Sequence, residues 1–403
     1  MFKLALRNIF RQKTHTLMTL VAIITGVTGI ILAGGWVQDI YVQLGEALIH
    51  SQSGHLQIYR QGYHEAGSRS PEKYLMNAPE TIKQHIAQET EIEQVMARLN
   101  FSGLLNNGKS DLPIIGEGVE PGLEAKLGSS VLLTAGRELT DTDTFGILLG
   151  KGVAQALQLK PGDQVTLLVN TLDGALNSLD FEVTGIFQSF SNDFDARAVR
   201  IPLAAAQELL GTTGVNALVI SLHHTEDTDR IAARLMQWLG SSGLEIKTWV
   251  ELNDFYEKTV ELYKGQFGVL QIIILIMVLL SVANSVNMSI FERVGEFGTM
   301  MALGNRSNQV FQLIISENFL LGLVGGSLGV GVGVLLAAAI SAIGIPMPPP
   351  PNADLGYVAQ IQIVPSVLLL ALSIGFIATV LAALLPARHV SRIPVVEALR
   401  QNF

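Results

Sequence analysis

Four stretches of this sequence are apolar for longer than the core of a water-soluble domain needs. They run from about Leu17 to Val37, Phe267 to Ile290, Phe311 to Ile343 and Val364 to Leu385. A helix rising about 1.5 Å per residue takes about 20 such residues to cross a hydrocarbon core of about 30 Å. Inside lipid every backbone N–H and C=O must find its partner within the segment, so each stretch is predicted to be a membrane-spanning helix. Charged residues make up only 15% of the chain, where soluble domains carry about a quarter, and the deficit falls in these runs.

Charge orients the spans. Nine basic residues (Lys3, Arg7, Arg11, Lys13, Arg293, Arg306, Arg388, Arg392 and Arg400) lie in three short segments beside the apolar runs. The other 17 lie between Tyr41 and Gly265 among 29 acidic residues, a local balance of −12. The connection Pro346–Ile363 carries no Lys or Arg. Lysine and arginine accumulate in short cytoplasmic loops, so the three basic segments and both termini are predicted cytoplasmic and the acidic domain outside. The expected fold class is an α-helical membrane protein, four transmembrane helices with a large extracytoplasmic α+β domain between the first and second.

Residues 1–15 (MFKLALRNIFRQKTH) mix apolar and basic residues, as a cytoplasmic interfacial helix would. The first span covers 16–40. No A-x-A-like cleavage site follows it, so it is read as a retained anchor rather than a signal peptide. Residues 41–248 form the external domain. Gly54–Arg60, Val95–Leu105, Leu112–Val119, Val165–Asn170, Asp180–Gln188 and Ala217–Leu222 read as strands, the second and third as a hairpin around Asn106-Asn107-Gly108. Pro79–Glu89, Ile147–Lys160, Pro202–Leu210 and Thr225–Leu239 have helical spacing, the last with Thr225 as its N-cap. Gly62–Ser70 reads as a loose excursion. Trp249–Tyr263 contains no Gly or Pro and reads as an unbroken helix extending the second span, so that stalk and span occupy 249–291. Asn284 and Asn287 near the inner end of that span either bond a neighbouring helix or serve as caps.

Residues 292–309 connect the second and third spans. Glu292, Arg293, Glu296 and Arg306 alternate there with Gly298, Met300, Met301, Leu303 and Gly304, the pattern of a short amphipathic helix at a membrane surface. The third span covers 310–344. Gly322, Gly325, Gly326, Gly329 and Gly333 recur at small-xxx-small spacing, which lets helix backbones approach closely in lipid. Glu317, a turn or two inside this span, is expected to face protein or the interface. A proline-rich outer loop (345–363), a fourth span (364–386) and a basic cytoplasmic tail (387–403) complete the chain.

The catalytic motifs fail on context. Gly103–Ser110 (GLLNNGKS) satisfies the phosphate-loop pattern G-x-x-x-x-G-K-[ST]. A phosphate loop must open a helix whose amides hold the phosphates, but Asp111-Leu112-Pro113-Ile114-Ile115 is extended and Asn-Gly signals a hairpin. His50, His55, His64 and His85 lack ligand spacing, and His223-His224 are neighbours rather than four apart on a helix face. Asp193 and Asp195 read as a solvated turn. There is no cysteine, hence no disulfide framework and no thiolate metal site. No metal site, no nucleic-acid partner and no catalytic residue are expected.

Three segments carry a family resemblance: LALRNIFRQKTHTLMTLVAIITGV, NMSIFERVGEFGTMMALGNRSNQVFQLIISENFLLGLVGGSLG and LAALLPARHVSRIPVVEALR. In order, spacing and topology they resemble the permease core of the MacB/LolC–LolE/FtsX superfamily of ABC transporters. LLGKGVAQALQLKPGDQVTLL and FEVTGIFQS resemble the external domain of the same permeases. The resemblance implies a bacterial inner-membrane, multi-pass subunit with a periplasmic domain, paired with an identical or related second permease on cytoplasmic ABC ATPase subunits. ATP and Mg would be bound by that ATPase, leaving this chain without a cofactor and without enzyme activity.

The resemblance further implies that Glu292–Ala302 is a coupling helix seated in the ATPase. Glu292, Arg293 and Glu296 would supply polar contacts there, while Met300, Met301 and Leu303 pack. Hydrolysis would then work on the external domain by mechanotransmission. MacB carries its ATPase fused at its N-terminus, whereas this sequence opens on the membrane-associated helix; FtsX proteins generally have a smaller external domain. Layout therefore sits nearest LolC–LolE, implying release of lipoprotein or another amphiphilic cargo. Entry between the first and second spans would pass Val37 and Phe267. The alternatives are a MacB-like tripartite efflux permease needing a periplasmic adaptor, suggested by PARHVSRIPVVEALR, and an FtsX-like regulator of a cell-wall hydrolase.

Overall fold

A computed structural model describes residues 2–11, 13–67, 74–127, 131–240, 242–348 and 356–395. The chain forms two compact units, one of Met1–Val42, Thr259–Met347 and Val358–Phe403, the other of Gln43–Lys258 and Pro348–Tyr357.

The first unit is helical. After the short helix Phe2–Arg11 come four long helices, Lys13–Leu48, Asp254–Glu292, Ser307–Ile343 and Pro365–Val390. All four are long and apolar enough to cross a membrane. Their shared core takes Ile23, Val27, Ile30 and Ile31 from the first, Val278, Val282, Val286 and Ile290 from the second, Val310 and Ile314 from the third and Ala371, Ala378, Ala382 and Ala383 from the fourth. Large apolar side chains also point outward: Leu335, Leu369 and Met277 are each at least 65% exposed. In water these faces would be costly; against lipid tails they are the matching surface. The fourth helix runs through Pro386 to Val390, past the expected boundary of the tail at 387. Proline removes one N–H donor, and the buried packing of Ala382, Ala383, Pro386 and Ala387 holds the helix together around that loss. Fully buried Asp39 accepts from Gln360 N (2.9 Å) and Gln362 Nε2 (3.0 Å), tying the first long helix to the segment before the fourth.

The second unit is built on one ten-stranded sheet: β1 (Leu56–Arg60), β2 (Ile92–Asn106), β3 (Asp111–Val119), β4 (Leu132–Gly136), β5 (Gly146–Gly150), β6 (Gln164–Asn170), β7 (Leu176–Gln188), β8 (Ala198–Pro202), β9 (Ala217–Leu222) and β10 (Leu244–Thr248). The order is β10-β1-β9-β2-β3-β8-β5-β7-β4, with β6 bridging β2 and β7. The pairs β3–β8 and β5–β7 are parallel. The long strand β2 serves two cores. Its first half pairs with β9 (Val95↔Ile220) and is covered by helices Pro79–Ile86 and Thr228–Leu239. Its second half pairs with β3 and β6 (Leu105↔Leu167), covered by Lys151–Leu157 and Leu203–Leu210. Each large aliphatic or aromatic side chain fully buried here, such as Phe181 or Leu167, contributes about 1.5–3 kcal/mol.

Several sequence expectations change. Ile147–Lys160 is not helical throughout: Gly146–Gly150 is a strand buried at every position, and the helix starts at Lys151. A short glycine-bounded apolar run is ambiguous between helix and buried strand by periodicity, and the sheet interior decides it. Thr225 opens a 3-10 turn rather than capping the helix, because its hydroxyl donates to Glu46 Oε1 (2.6 Å). The excursion at Gly62–Ser70 holds a one-turn helix, Tyr63–Ala66, with Tyr63 stacked on Tyr59 at 4.8 Å; residues 68–70 lie outside the described residues. Asp195 is buried and accepts from Ser189 N, so it is structural rather than solvated. Gly103–Ser110 ends a strand and turns, with Asn107 Oδ1 accepting from Lys109 N and Ser110 N, as the hairpin reading required.

Candidate functional site

The connection between the second and third long helices forms a short, separate helix. Arg293 leaves helical geometry (φ −104°, ψ 8°), Val294–Ala302 is helical again, and Gly304 turns the chain at φ +102°, where a Cβ would be strained. Gln309 Oε1 then accepts from Arg306 N (2.9 Å) at the start of the third long helix. Amphipathicity sets the orientation of the short helix. Val294, Gly295, Phe297 and Gly298 are buried, while Leu303 just beyond its end is 83% exposed and Met300 and Met301 are half-buried.

Its charges form a network. Arg293 donates to both oxygens of Glu317 (2.6 and 3.1 Å), and Glu317 also accepts from Asn8 Nδ2 (2.6 Å). The Arg293 guanidinium lies 4.8 Å from the centre of the Phe297 ring. Glu296 meets Arg293 at 3.4 Å and also pairs with Arg11; Glu292 pairs with His15 at 2.7 Å. One level further in, Thr19 and Ser285 share a hydrogen bond of 2.6 Å between the first and second long helices. The short helix is thus bonded to the N-terminal helix and to the third long helix at once.

Arg293, expected to make polar contacts with the ATPase, lies inward in this structure: its side chain is 6% exposed and both ends of its fork are taken by Glu317. A guanidinium this buried must be paired, and a carboxylate inside an apolar helix is the available partner. Glu292 and Glu296 are about half exposed but already engaged by His15 and Arg11. Leu303 and the outer edges of Met300 and Met301 are large apolar surface that this segment leaves outward, beside the exposed Thr299 and Ala302. Asn8 and His15 carry no signal of this role in the sequence, and Arg11 shows there only as one of the basic residues that orient the spans. The unmatched Glu317 was the signal that a cation must lie nearby.

The five glycines of the third long helix are all buried and divide between two neighbours. A methyl group on Gly325, Gly329 or Gly333 would lie 3.1, 2.8 and 2.9 Å from Ile23, Val27 and Ile31 of the first long helix. On Gly322 or Gly326 it would meet Thr379 at 3.2 Å or Leu372 at 2.9 Å of the fourth. The third helix is therefore wedged between the other two, each face seated through missing side chains. Gly26, overlooked in the sequence, does the same for the second helix: a methyl there would overlap Val278 at 2.1 Å. Val37 and Phe267 are half-buried, and the tip of the Phe267 ring lies 3.3 Å from a methyl position on Gly34. Asn284 is exposed and Asn287 half-buried.

Comparison with known proteins supplies the context for this geometry. Residues 16–238 match the MacB-like periplasmic core domain, and residues 268–395 match the FtsX-like permease C-terminal domain. An uncharacterized ABC transporter permease of Methanocaldococcus jannaschii is 25% identical over 203 residues, 48% of this chain and 49% of that protein. The lipoprotein-releasing system transmembrane protein LolC of Xylella fastidiosa is 25% identical over 317 residues, 74% of this chain and 76% of LolC. The macrolide export ATP-binding/permease protein MacB of Hyphomonas neptunium is 25% identical over 236 residues, 56% of this chain and 34% of MacB. The chain thus spans about half of the first relative's length and about a third of MacB.

Proposed function

Because this chain belongs to the MacB/LolC/FtsX family of ABC transporter permeases, we propose that it is the membrane subunit through which ATP hydrolysed by a separate cytoplasmic subunit does mechanical work on an external domain. The observation that carries this reading is the helix Val294–Ala302. Its inner side is bonded to two other helices through Arg293, Glu296 and Glu317, while Leu303 is left outward for a partner to hold. A push on such a helix is passed to the third long helix instead of being lost in a loose loop. In this reading the three basic segments face the cytoplasm and the sheet domain is periplasmic. A second permease, identical or related, completes the assembly, and the ATPase holds ATP and Mg.

The likeness to LolC over 74% of the chain supports a lipoprotein or similar amphiphile as cargo, approaching past Val37 and Phe267. The match of residues 16–238 to the MacB-like domain supports a second reading, efflux with a periplasmic adaptor. Purification of the tagged chain in mild detergent, followed by mass spectrometry, separates them. An ATPase with a lipoprotein or second permease supports release, whereas an ATPase with an adaptor supports efflux. Leu303→Asp should remove the ATPase while the protein stays folded, because that side chain has no role in the core. Retention of the ATPase by this variant, or its absence from the unaltered protein, would overturn the coupling assignment.

A further inference from the structure

The first long helix does not stop where its α-helical hydrogen bonds do. Ile49–Ser53 widen into one π-helical turn, closed by Gly54 at φ +63°, whose N–H donates to Ile49 O (2.9 Å). The last carbonyls of a helix lack intrahelical donors and carry a partial negative charge. Here they are gripped: Arg98 Nη1 donates to Gln52 O (2.6 Å) and Arg200 Nη2 to Ser51 O (2.8 Å). Gln57 Nε2 adds a bond to Ser53 O (2.6 Å). The two arginines rise from β2 and β8 and are 2% and 4% exposed. Glu117 balances both (3.4 Å to Arg98, 2.8 Å to Arg200), as does Glu124 (2.8 and 3.4 Å). Burial alone pushes the Glu124 carboxyl up, but Arg98 and Arg200 hold it below the usual carboxylate range. A buried ionic cluster of this kind is poor evidence for stability and better suited to fixing a geometry, here that of two carbonyls at a helix end.

The second long helix is joined to the sheet differently. Trp249–Leu252 is a single turn closed by a Thr248–Glu251 capping box. The chain leaves helical geometry at Asn253 (φ −124°, ψ 75°) and begins again at Asp254, correcting the expectation of an unbroken helix over Trp249–Tyr263. Asn253 Nδ2 donates to Trp249 O (2.6 Å), so an amide side chain supports the break without any Gly or Pro. Trp249 itself is pinned, its N–H on His55 O (3.0 Å) and its ring against Gly45, where a methyl would have 2.8 Å.

We propose that Arg98 and Arg200 are positioning residues of a fixed joint that locks the end of the first long helix to the sheet, and that Asn253 is the compliant joint of the second. A continuous helix resists bending through its successive hydrogen bonds, whereas at Asn253 the helical ladder is interrupted and short-range turn bonds (Asn253 N–H to Val250 O, 3.1 Å; Tyr256 N–H to Asn253 O, 2.9 Å) span the break, so bending is least opposed there. Movement arriving along the first helix is passed on whole, and movement along the second is absorbed. This use of the joints deepens the permease reading and rests on it; their difference in stiffness does not.

The chain has no cysteine, so spin labels can be placed on the full-length protein at will. Distance distributions would be measured in detergent between Gln43→Cys and Gln155→Cys, and between Glu257→Cys and Gln155→Cys. The first pair should be at least twofold narrower than the second. Asn253→Ala, which removes the amide bond to Trp249 O and favours helical dihedrals at the break, should narrow the second pair toward the first. Replacing the cluster together (R98M, E117Q, E124Q, R200M), so that no charge is left buried alone, should broaden the first pair and leave the second unchanged. Equal widths in the unaltered protein, or no response to Asn253→Ala, would overturn the proposal even if the fourfold variant does not fold. Loss of ATPase co-purification would sink the permease reading without touching these distances.

Discussion

Glu317 stands inside an otherwise uncharged helix, and its two oxygens take three donors from two other segments. Removing one partner of a buried pair leaves the other charge uncompensated, whereas removing both leaves only a shape change. Glu317→Ala should therefore cost about 3–5 kcal/mol, and the double change Arg293→Met with Glu317→Leu far less. Thermal unfolding of the purified protein in detergent measures both; equal losses would show that the two residues do not act as a pair. His55 offers a second test. It is 1% exposed, its Nδ1 accepts from Leu222 N (3.1 Å), and its Nε2 lies 3.0 Å from the Thr225 hydroxyl that donates to Glu46. Burial first, and neighbouring His50 second, push its pKa down to about 4. The unfolded chain then binds a proton that the folded protein refuses. The stability this neutral imidazole contributes is complete above about pH 6.5 and lost as pH falls toward 4, roughly 3 kcal/mol over that window. His50 works the other way: its hydrogen bond to Glu46 outweighs burial and raises its pKa, so its contribution is lost as pH rises above its ordinary value. Denaturant midpoints at pH 7 and pH 4.5 should differ less in His55→Asn than in the unaltered protein.

The third long helix places two kinds of glycine side by side. Gly329 has 2.8 Å to Val27, while a methyl on Gly331 would meet nothing within 4 Å. Alanine at 329 overpacks the contact and should cost about 1–3 kcal/mol. Alanine at 331 only improves helix propensity and should stabilise by up to about 1 kcal/mol. Val27→Ala combined with Gly329→Ala should recover part of the loss. The measurement is the shift in unfolding temperature across the three variants, and equal effects at 329 and 331 would remove the close-approach argument. At the short helix Val294–Ala302, Glu296 shows why a surface charge is a poor probe of docking: it already serves Arg11 and Arg293, so altering it disturbs the fold as well as any partner. Leu303 carries no such duty.

For the whole molecule, four apolar helices and the charge partition predict an accessibility pattern. In intact cells with a permeabilised outer layer, Gln155→Cys should react with a membrane-impermeant maleimide. Leu303→Cys should react only after the inner membrane is opened. The reverse pattern would invert the topology and remove the coupling role of the short helix. Each external position is read against the same cysteine-free background.

How much of this was legible in the sequence follows from the range of the forces involved. Composition and charge are local sums. The four apolar helices, the sheet strands Val165–Asn170 and Ala217–Leu222, and the hairpin over Asn106–Gly108 could be read directly, because each depends on its own residues and on solvent or lipid. The glycine spacing of the third helix was equally plain, but the division of Gly325, Gly329 and Gly333 from Gly322 and Gly326 was not, since it depends on two other helices. Partners distant in sequence were invisible for the same reason. Arg293 finds Glu317 and Asn8, Arg98 and Arg200 find the carbonyls of Ser51 and Gln52, and Thr225 abandons its cap for Glu46. Local composition decides which segments are apolar, where charge accumulates and where most helices and strands lie, but not that Gly146–Gly150 is a strand or that the helix breaks at Asn253. Tertiary structure alone decided which charges are buried and with whom, because a hydrogen bond is made at about 3 Å and no spacing along the chain measures that distance.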